Sequence, residues 1–585
     1  MSRRSRTYQP HDVIREDRDD GAILLRARAD MGPVAERTTD WLDHWAEVTP
    51  EAVFLAERDG PGWREVSYAA ARDEARAIAV GLTDMDLGPG RPVMVVTGNS
   101  VAHGLLALAC QYAGAPVVPV AEQYAALPAA RGQLDHIATL IQPAAVFAET
   151  PMEEVFTRDS LAAARPLTGQ SLDALARVGG RLEARIGPDT VAKILMTSGS
   201  TSAPKGVLTT HRMMCVNQAQ IAACLPFLRD RPPVLVDWLP WNHVFGGSHN
   251  FNLVLANGGS LYIDGGKPVP ALVGQTIENN RLKQGTISFN VPVGFAALRD
   301  AMLGDRDFAR AFFQDLDMLF YAGASLPQDV WTDLDRMARE VRDDLPLFTS
   351  SWGLTETAPA ALLQHEPTDR SGVVGVPLPG VDVKLVPAET RYEVRVRGPS
   401  VFKGYHGNAA KTDEAFDEDG YFRTGDAMAF VDPSDMNQGL RFDGRISEDF
   451  KLMSGTWVRA AALRLHLLDG LKGIAQDVVL VGEERADVGV LIVPTADMRE
   501  SARDDGAALL ANDPTPIIEV LSAMKGGSAA RVTRALILSQ PPSIADGEIT
   551  AKGNLNFARI RAGRADLIAR LYDPSDPASI TLGEL

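Results

Sequence analysis

Residues 197–206 read Thr197-Ser198-Gly199-Ser200-Thr201-Ser202-Ala203-Pro204-Lys205-Gly206, and they follow the apolar run Ile194-Leu195-Met196. A strand that opens into such a loop brings backbone N–H groups, side-chain hydroxyls and one ammonium into a small volume, which suits a polyphosphate. The spacing differs from a Walker A loop, because proline precedes the lysine and glycine follows it. Hydroxyl residues between the glycines also argue against a Rossmann turn. The alternative is a flexible Ser/Gly surface loop.

The composition is that of a globular protein with more than one domain. The chain has 585 residues, of which 45% are hydrophobic and 23% charged, and this length exceeds one compact core. Its net charge of −18 argues against nucleic acid or an anionic membrane as the main partner, since both favour a basic surface. Cys110, Cys215 and Cys224 lack C-x-x-C spacing and suit a reducing cytosol. We expect a cytoplasmic protein with neither a signal peptide nor a membrane span.

From about residue 90, short β-rich runs alternate with helical patterns. The runs predicted as strands are residues 92–97, 116–120, 144–149, 192–197, 234–238, 261–264, 286–291 and 316–321. The segments predicted as helices include residues 102–113, 213–225, 272–283 and 328–341. This alternation predicts an α/β fold in which helices cover parallel sheets.

After about residue 375 the pattern changes. Residues 381–386 and 392–397 alternate in the manner of exposed antiparallel strands and predict a small barrel-like subdomain. The tail that follows Gly444-Arg445 is long enough for a domain of its own. We therefore expect one domain over residues 1–443 and a second over 444–585, with the boundary at 443–448. The first 35 or so residues are polar and are expected to form an arm over the large domain.

Several downstream stretches supply polar and small residues for a site. They are Trp238-Leu239-Pro240-Trp241-Asn242-His243-Val244-Phe245-Gly246-Gly247, Tyr321-Ala322-Gly323-Ala324-Ser325-Leu326-Pro327, Ser351-Trp352-Gly353-Leu354-Thr355-Glu356, Gly420-Tyr421-Phe422-Arg423-Thr424-Gly425-Asp426, Asp443-Gly444-Arg445, Glu448-Asp449-Phe450-Lys451-Leu452-Met453-Ser454-Gly455 and Asp546-Gly547-Glu548-Ile549-Thr550-Ala551-Lys552-Gly553. Each also has an ordinary structural reading. Thr355-Glu356 could cap a helix with an acidic first turn, His243 could be a packing residue, and Lys552 could be an exposed lysine.

Two other kinds of site are excluded by spacing. His243 and His249 have no cysteine or carboxylate at zinc-ligand spacing, so a zinc site is not expected. No G-x-S-x-G elbow occurs, which removes the α/β-hydrolase reading.

Taken in order, the stretches resemble the motifs of the adenylate-forming superfamily, which includes acyl-CoA ligases, luciferases and peptide-synthetase adenylation domains. The resemblance extends from Thr197 to Lys552. It implies a large N-terminal domain of two helix-covered sheets plus a β-barrel subdomain, and a small mobile α+β C-terminal domain. It also implies that an acid reacts with ATP to give an acyl-adenylate and pyrophosphate, and that CoA then forms the thioester.

The resemblance implies a role for each matched residue. ATP would contact Thr197, Ser198, Gly199, Ser200, Thr201, Lys205, Gly323, Ala324, Trp352, Gly353, Asp426 and Arg445. Within that set Trp352 would lie against adenine and Asp426 would accept both ribose hydroxyls. The oxygens of Glu356 and Thr197 would ligate Mg²⁺, which prefers hard ligands. The residues implied in catalysis are Lys552, His243, Thr355 and Glu356, and the loop from Lys451 to Gly455 would face the CoA channel.

Residues 236–243, 444–451 and 547–550 look closer to bacterial feruloyl-CoA synthases than to fatty acyl-CoA ligases. The implied substrate is a hydroxycinnamate, with walls from Trp241, Phe245, Phe289 and Trp352. The alternatives are another aryl or medium-chain acid, or a degenerate member that binds nucleotide without turnover. The chain departs from the superfamily pattern at Ser202, at Gly455 and in the form of the motif around Lys552. A monomer and a homodimer both remain open.

Overall fold

The computed structural model describes residues 7–182, 185–197, 204–388, 391–543, 546–549 and 555–582. The loop residues Ser198, Gly199, Ser200 and Thr201 lie outside the described residues, and so does Lys552. The roles predicted for them therefore stay predictions.

The strands of the first half, in chain order, are β1 (Val13–Asp17), β2 (Ile23–Ala27), β3 (Val53–Asp59), β4 (Gly62–Ser67), β5 (Val93–Val95), β6 (Val117–Pro119), β7 (Ala145–Phe147), β8 (Arg165–Leu167), β9 (Val191–Thr197), β10 (Lys205–Thr210), β11 (Val234–Asp237), β12 (Ser260–Ile263), β13 (Ile287–Asn290) and β14 (Met318–Tyr321). The remaining strands are β15 (Leu347–Gly353), β16 (Ala360–Leu363), β17 (Val373–Pro377), β18 (Asp382–Ala388), β19 (Arg391–Arg397), β20 (Phe422–Phe430), β21 (Leu440–Arg445), β22 (Phe450–Lys451), β23 (Trp457–Val458), β24 (Ala475–Val481), β25 (Val488–Pro494), β26 (Arg503–Asp504), β27 (Ala508–Leu510), β28 (Val532–Leu538) and β29 (Ile580–Thr581).

The α-helices are α1 (Thr38–Val48), α2 (Tyr68–Asp84), α3 (Val101–Ala113), α4 (Gln123–Ala126), α5 (Arg131–Ile141), α6 (Gly169–Leu175), α7 (His211–Cys224), α8 (Phe227–Asp230), α9 (Phe251–Ala256), α10 (Val273–Leu282), α11 (Pro292–Gly304), α12 (Arg306–Phe313), α13 (Gln328–Val341), α14 (Ala409–Glu414), α15 (Ala460–Gly470), α16 (Ala496–Glu500), α17 (Thr515–Ala523), α18 (Phe557–Gly563) and α19 (Ala565–Leu571). Among the described residues, no helix is both long enough and apolar enough to cross a membrane.

The large sheets combine parallel and antiparallel strands. A six-stranded sheet has the order β10-β9-β6-β5-β7-β8 and is parallel except for β10, while a four-stranded sheet has the order β11-β12-β3-β4. An eleven-stranded sheet runs β1-β2-β18-β19-β20-β21-β17-β16-β15-β14-β13, and its β13, β14 and β15 are parallel. The predicted helix-covered α/β fold is confirmed. The antiparallel strands expected near residues 381–397 are confirmed as β18 and β19, hydrogen-bonded within that long sheet.

The N-terminal residues differ from the expected polar arm. Strands β1 and β2 form a hairpin, and β2 pairs with β18 through Leu25 and Val383. The physical reason is the apolar run from Ile23 to Leu25, which is buried at the sheet and gives the segment a core face. Residues 13–27 therefore extend the long sheet rather than only lying over it.

Two of the buried clusters divide on either side of residues 443–448. The largest cluster reaches from Ile23 to Leu440, and another reaches from Phe450 to Ile537. The second cluster lies under a separate sheet of order β24-β25-β28-β27-β26. We keep 443–448 as the proposed domain boundary because it falls between these clusters.

Candidate active site

The ends of two parallel strands bring several of the predicted nucleotide-binding residues together. β14 and β15 are parallel neighbours with Tyr321 opposite Ser350, so the residues that follow both strands lie at one edge of the sheet. Gly323, with a φ of +86°, and the exposed Ala324 follow β14, while Trp352 and Gly353 close β15. A Cβ at Gly353 would lie 1.8 Å from the carbonyl oxygen of Pro359, so only glycine fits there.

Trp352, Asp426 and Arg445 form a contact group. The indole Nε1 of Trp352 donates a hydrogen bond to Oδ2 of Asp426 over 2.9 Å. Asp426 and Arg445 are partners across β20 and β21, and Arg445 Nε lies 3.3 Å from Asp426 Oδ1. Burial raises the pKa of Asp426, while the Arg445 charge and the indole N–H act in the opposite direction. Two predicted nucleotide residues are therefore directly bonded, and a third flanks them.

Glu356 lies in a single 3₁₀ turn, Thr355–Thr357, just after β15. Its side chain is buried with that of Thr355, and its Oε1 accepts a 3.0 Å hydrogen bond from the hydroxyl of Tyr405. Burial and the Glu356 charge both raise the pKa of Tyr405. The amine of Lys205 lies 4.7 Å from the centroid of the Tyr405 ring. Tyr405 thus joins two predicted site residues.

Tyr405 was missed by the sequence reasoning. The only sequence signal was its place in the stretch Phe402-Lys403-Gly404-Tyr405, between the stretches quoted for metal and ribose. Two aromatic residues at this spacing indicate no role by themselves. The contact with Glu356 depends on the fold, because 49 residues separate the two.

The described residues on either side of the predicted phosphate loop lie opposite each other. Thr197 ends β9 and Lys205 begins β10, and the antiparallel register pairs these two residues. Thr197 also lines a small cavity of about 40 Å³ together with Asn242 and His243. His243 Nδ1 accepts a 3.2 Å hydrogen bond from the backbone N–H of Phe245. The cavity therefore brings Thr197, where the predicted phosphate loop begins, close to His243, which the resemblance implies in catalysis.

An aromatic cluster lies directly after His243. The ring centroids of Phe245, His249, Phe289 and Phe320 lie between 5.0 and 6.0 Å apart in neighbouring pairs. Phe245 and Phe289 were predicted as walls of the acid pocket, and their rings pack edge to face with centroids 6.0 Å apart. Trp241 packs instead against His103 and Phe251, and Trp352 is engaged by Asp426. His249 joins the cluster although its sequence position suggested no role.

The hydrogen bonds of His249 define its tautomer. Asn250 Nδ2 donates to Asp237 Oδ2 over 2.8 Å, so the Asn250 oxygen faces His249 Nδ1 at 2.9 Å. Nδ1 therefore carries the proton, and burial lowers the pKa of His249 to about 4, which keeps the ring neutral. His249 Nε2 is buried and has no hydrogen-bond partner among the described residues. It is an acceptor inside an aromatic wall.

The C-terminal part contributes two described motif residues. Lys451 ends β22 and lies with its amine 4.9 Å from the ring centroid of Trp457 on the partner strand β23. Gly455 lies in the turn between these strands with a φ of +79°. Near the predicted catalytic lysine, Ile549 and Leu555 form an antiparallel bridge, and Arg564 Nε contacts Glu548 over 2.7 Å.

The described residues hold no group of three His, Cys, Asp or Glu side chains that could bind a metal ion. Mg²⁺ bound through nucleotide phosphates needs only one or two protein oxygens. Glu356 fits that need, because its carboxylate is buried and held by the Tyr405 hydroxyl. Tyr405 in turn contacts Lys205, the first residue of β10, which follows the predicted phosphate loop.

Comparisons with known proteins identify the family of the chain. Residues 42–406 match the AMP-binding enzyme family, and residues 452–576 match the AMP-binding enzyme C-terminal domain. A feruloyl-CoA synthase of Amycolatopsis sp is 28% identical over 482 residues, which is 80% of this chain and 90% of the relative. The 3-[(3aS,4S,7aS)-7a-methyl-1,5-dioxo-octahydro-1H-inden-4-yl]propanoyl:CoA ligase of Rhodococcus jostii (strain RHA1) is 26% identical over 507 residues, 80% of this chain and 93% of the relative.

Solved structures share the fold. The anthranilate CoA ligase AuaEII in complex with anthranoyl-AMP has a TM-score of 0.74 at 19% identity, covering 92% of this chain and 99% of that one. The O-succinylbenzoate coenzyme A synthetase of Bacillus subtilis in complex with AMP has a TM-score of 0.68 at 16% identity, covering 88% and 96%. The family matches span more than half of the chain. The chain therefore belongs to the AMP-binding enzyme family and has the adenylate-forming fold.

Proposed function

We propose that the chain is an AMP-forming CoA ligase for an aromatic carboxylic acid of the hydroxycinnamate class, such as ferulate. The observation that carries the proposal is the line of contacts from Lys205 through Tyr405 to Glu356. It offers a triphosphate one cation and one metal-ligating carboxylate at the mouth of the phosphate loop. The feruloyl-CoA synthases at 28% identity support the substrate class.

The proposed reaction has two steps. A carboxylate oxygen of the acid attacks the α-phosphorus of ATP, and the bond to the β-phosphate breaks so that pyrophosphate leaves with the electron pair. The sulfur of CoA then attacks the acyl carbon and loses its proton, and AMP leaves with the electron pair. Lys205, Arg445 and Lys552 would stabilise the negative charge on the phosphates, and Asp426 would hold the ribose hydroxyls.

Glu356 and Thr197 would hold Mg²⁺ together with the phosphates. Bound there, the ion would neutralise phosphate charge as pyrophosphate departs. The contribution of this chain is to fix the Glu356 carboxylate, which the Tyr405 hydroxyl does over 3.0 Å.

His249 supports an acid that carries a phenolic hydroxyl. Its Nε2 is an acceptor in a wall that otherwise consists of phenylalanine rings, and a phenol is a donor of matching character. An unsubstituted aryl or alkyl acid would leave that nitrogen unpaired, which costs binding energy. A hydroxylated ring is therefore preferred, because it pairs with His249 Nε2 and an unsubstituted ring does not.

A panel of acids tests the proposal. Pyrophosphate release and thioester formation would be measured with ferulate, 4-hydroxycinnamate, cinnamate, benzoate and octanoate, each with and without CoA. We expect the two hydroxycinnamates to give the highest kcat/KM and to need CoA for the thioester. A higher kcat/KM with octanoate would indicate a medium-chain ligase. Nucleotide binding without pyrophosphate release from any acid would indicate the degenerate alternative.

A further inference from the structure

One lysine in the core has no role in the site described above. Lys193 lies in the middle of β9, and only 5% of its surface is exposed. Its Nζ forms no ion pair with any carboxylate in the described part of the chain. Burial alone lowers the pKa of its ammonium to about 8. A buried cation without a counter-ion is costly, so its position requires a compensating contact.

The compensating contact is with the aromatic cluster of Phe245, His249, Phe289 and Phe320, which we call the acid wall because it is proposed to line the pocket for the acid. Lys193 Nζ donates a hydrogen bond to the carbonyl oxygen of Gly247 and lies 5.9 Å from the centroid of the Phe251 ring. Gly247 belongs to the π-helical turn Phe245–Asn250, which carries both Phe245 and His249. π-Turns within helices occur often at functional sites, because they place side chains where a regular helix would not.

The π-helical turn packs closely against the backbone of residues 239–241. A Cβ at Gly247 would lie 2.1 Å from the carbonyl oxygen of Trp241, and one at Gly246 would lie 2.4 Å from that of Leu239. A second buried side chain, Gln218, donates from Nε2 to the carbonyl oxygen of His249 over 3.2 Å. The turn thus has little room to shift while these two donors hold its carbonyls.

The other end of the lysine strand is the nucleotide site. β9 ends at Thr197, where the phosphate loop begins, four residues after Lys193. The bond from Lys193 to Gly247 therefore joins the strand that leads to the phosphates with the turn that forms the acid wall. The acid and the α-phosphate must meet at one point between these two elements.

We propose that Lys193 is a positioning residue that holds the acid wall at a fixed distance from the phosphate loop, so that the acid's carboxylate is aligned with ATP. The inference rests on the proposed ligase function. A displacement of the wall by about 1 Å would lower the rate of acyl-adenylate formation by up to about a hundredfold. ATP binding alone would change little, because its contacts lie on the loop side.

Three variants test this role. Lys193→Met keeps the length of the side chain and removes the donor and charge, Lys193→Arg keeps both, and Lys283→Met is the control. Lys283 also lies near an aromatic ring, 4.5 Å from the centroid of Tyr262, but it does not contact the turn. The measurements are single-turnover pyrophosphate release, KM for ferulate, equilibrium binding of a non-hydrolysable ATP analogue, and thermal unfolding.

For Lys193→Met we expect a 10- to 100-fold slower adenylation step and a several-fold higher KM for ferulate, with analogue binding within twofold of wild type. Lys193→Arg should recover part of the rate, and Lys283→Met should match wild type. An unchanged rate and KM in Lys193→Met, or an equal loss of analogue binding, overturns the inference. If Lys193→Met does not fold, Lys193→Arg and Lys193→Gln decide by the same split between rate and analogue binding. A wild-type protein that is inactive with every acid instead refutes the ligase function and the inference with it.

Discussion

The indole of Trp352 donates its N–H to the buried carboxylate of Asp426 over 2.9 Å, which joins β15 to β20 through two predicted nucleotide-binding residues. This hydrogen bond is accepted by Oδ2 of Asp426, and the other oxygen, Oδ1, lies 3.3 Å from Nε of Arg445. Because the carboxylate is buried, its orientation is set by the indole N–H and by the Arg445 charge rather than by water. The tryptophan thus supplies a hydrogen bond as well as an aromatic face.

Trp352→Phe should raise the KM for ATP about tenfold and leave kcat nearly unchanged. Phenylalanine keeps an aromatic face, but the carboxylate loses a charge-assisted hydrogen bond that typically contributes about 1.5–3 kcal/mol. Steady-state kinetics with ATP varied at saturating acid would measure it. Trp63→Phe is the matched control, since the Trp63 indole N–H has no hydrogen-bond partner among the described residues. An ATP KM equal to that of the control would show that the bond does not support nucleotide binding.

Glu356→Gln should lower turnover at least a hundredfold and raise the magnesium concentration needed for half-maximal activity. An amide oxygen carries no net charge to hold the ion. Magnesium titrations of pyrophosphate release would measure both effects. Tyr405→Phe keeps the carboxylate and removes only its 3.0 Å hydrogen bond, so its effect should be smaller. Near-native activity of Glu356→Gln at low magnesium would move the metal role to another residue.

His249→Phe should abolish the preference for a hydroxylated ring. We expect the wild type to favour 4-hydroxycinnamate over cinnamate by about tenfold in kcat/KM, because one unpaired buried acceptor costs on the order of 1–2 kcal/mol. The variant should treat both acids alike, since its ring has no acceptor. His249→Gln keeps an acceptor and should retain part of the preference. A preference that survives in His249→Phe would assign the hydroxyl contact elsewhere.

Much of the fold could be predicted because apolar runs between turn residues mark buried strands. The strand expected at 316–321 is β14, and the helix expected at 328–341 is α13 with the same bounds. The pairing of the N-terminal hairpin with β18 was not predictable, since it joins residues more than 350 positions apart. The local pattern contains no information on such a pairing.

The residues of the candidate site also fall into those that local sequence predicts and those that depend on the fold. Trp352, Glu356 and Asp426 could be predicted as site residues because they lie in ordered motifs of known spacing. Tyr405, His249 and Lys193 were not predicted, because each is connected to the candidate site by a contact that only the fold supplies, with Glu356, Asn250 and Gly247 respectively. A buried polar side chain in an apolar run is a weak signal of this kind.

Asp237→Asn should increase stability progressively as pH rises from about 4 to 7. Burial raises the pKa of Asp237 to about 7, whereas its unfolded value is about 3.9. The unfolded state then ionises first, so the wild type loses stability as pH rises through this window, and the loss is constant above it. Thermal unfolding of both proteins between pH 5 and pH 8 would measure the difference. Asp300→Asn, at a side chain that is 64% exposed, is the control. A difference that is independent of pH would contradict the prediction.

The proposed domain boundary lies between two parts of the chain that contact each other. Ile446–Glu448 is a short 3₁₀ turn after β21, and the contacts beside it join the two parts of the chain. Arg391 on β19 forms an ion pair with Asp449 and also donates to the carbonyl oxygen of Asp443 over 2.9 Å. Asp449 in turn accepts the backbone N–H of Ala460 at the start of α15 over 3.1 Å.

If the small domain rotates about this segment between the two half-reactions, Ser447→Pro should slow thioester formation more than adenylation. Proline fixes φ near −65°, whereas a hinge absorbs large changes of φ and ψ at a few residues. Single-turnover pyrophosphate release reports the first step, and thioester formation from supplied acyl-adenylate reports the second. Ser447→Ala is the matched control, because Ser447 is exposed and alanine leaves the backbone free. Lys552→Ala should show the opposite split, with adenylation lowered by about 10²–10³ and the second step largely kept. Equal rates for both steps in Ser447→Pro and Ser447→Ala would show that the segment is not the hinge.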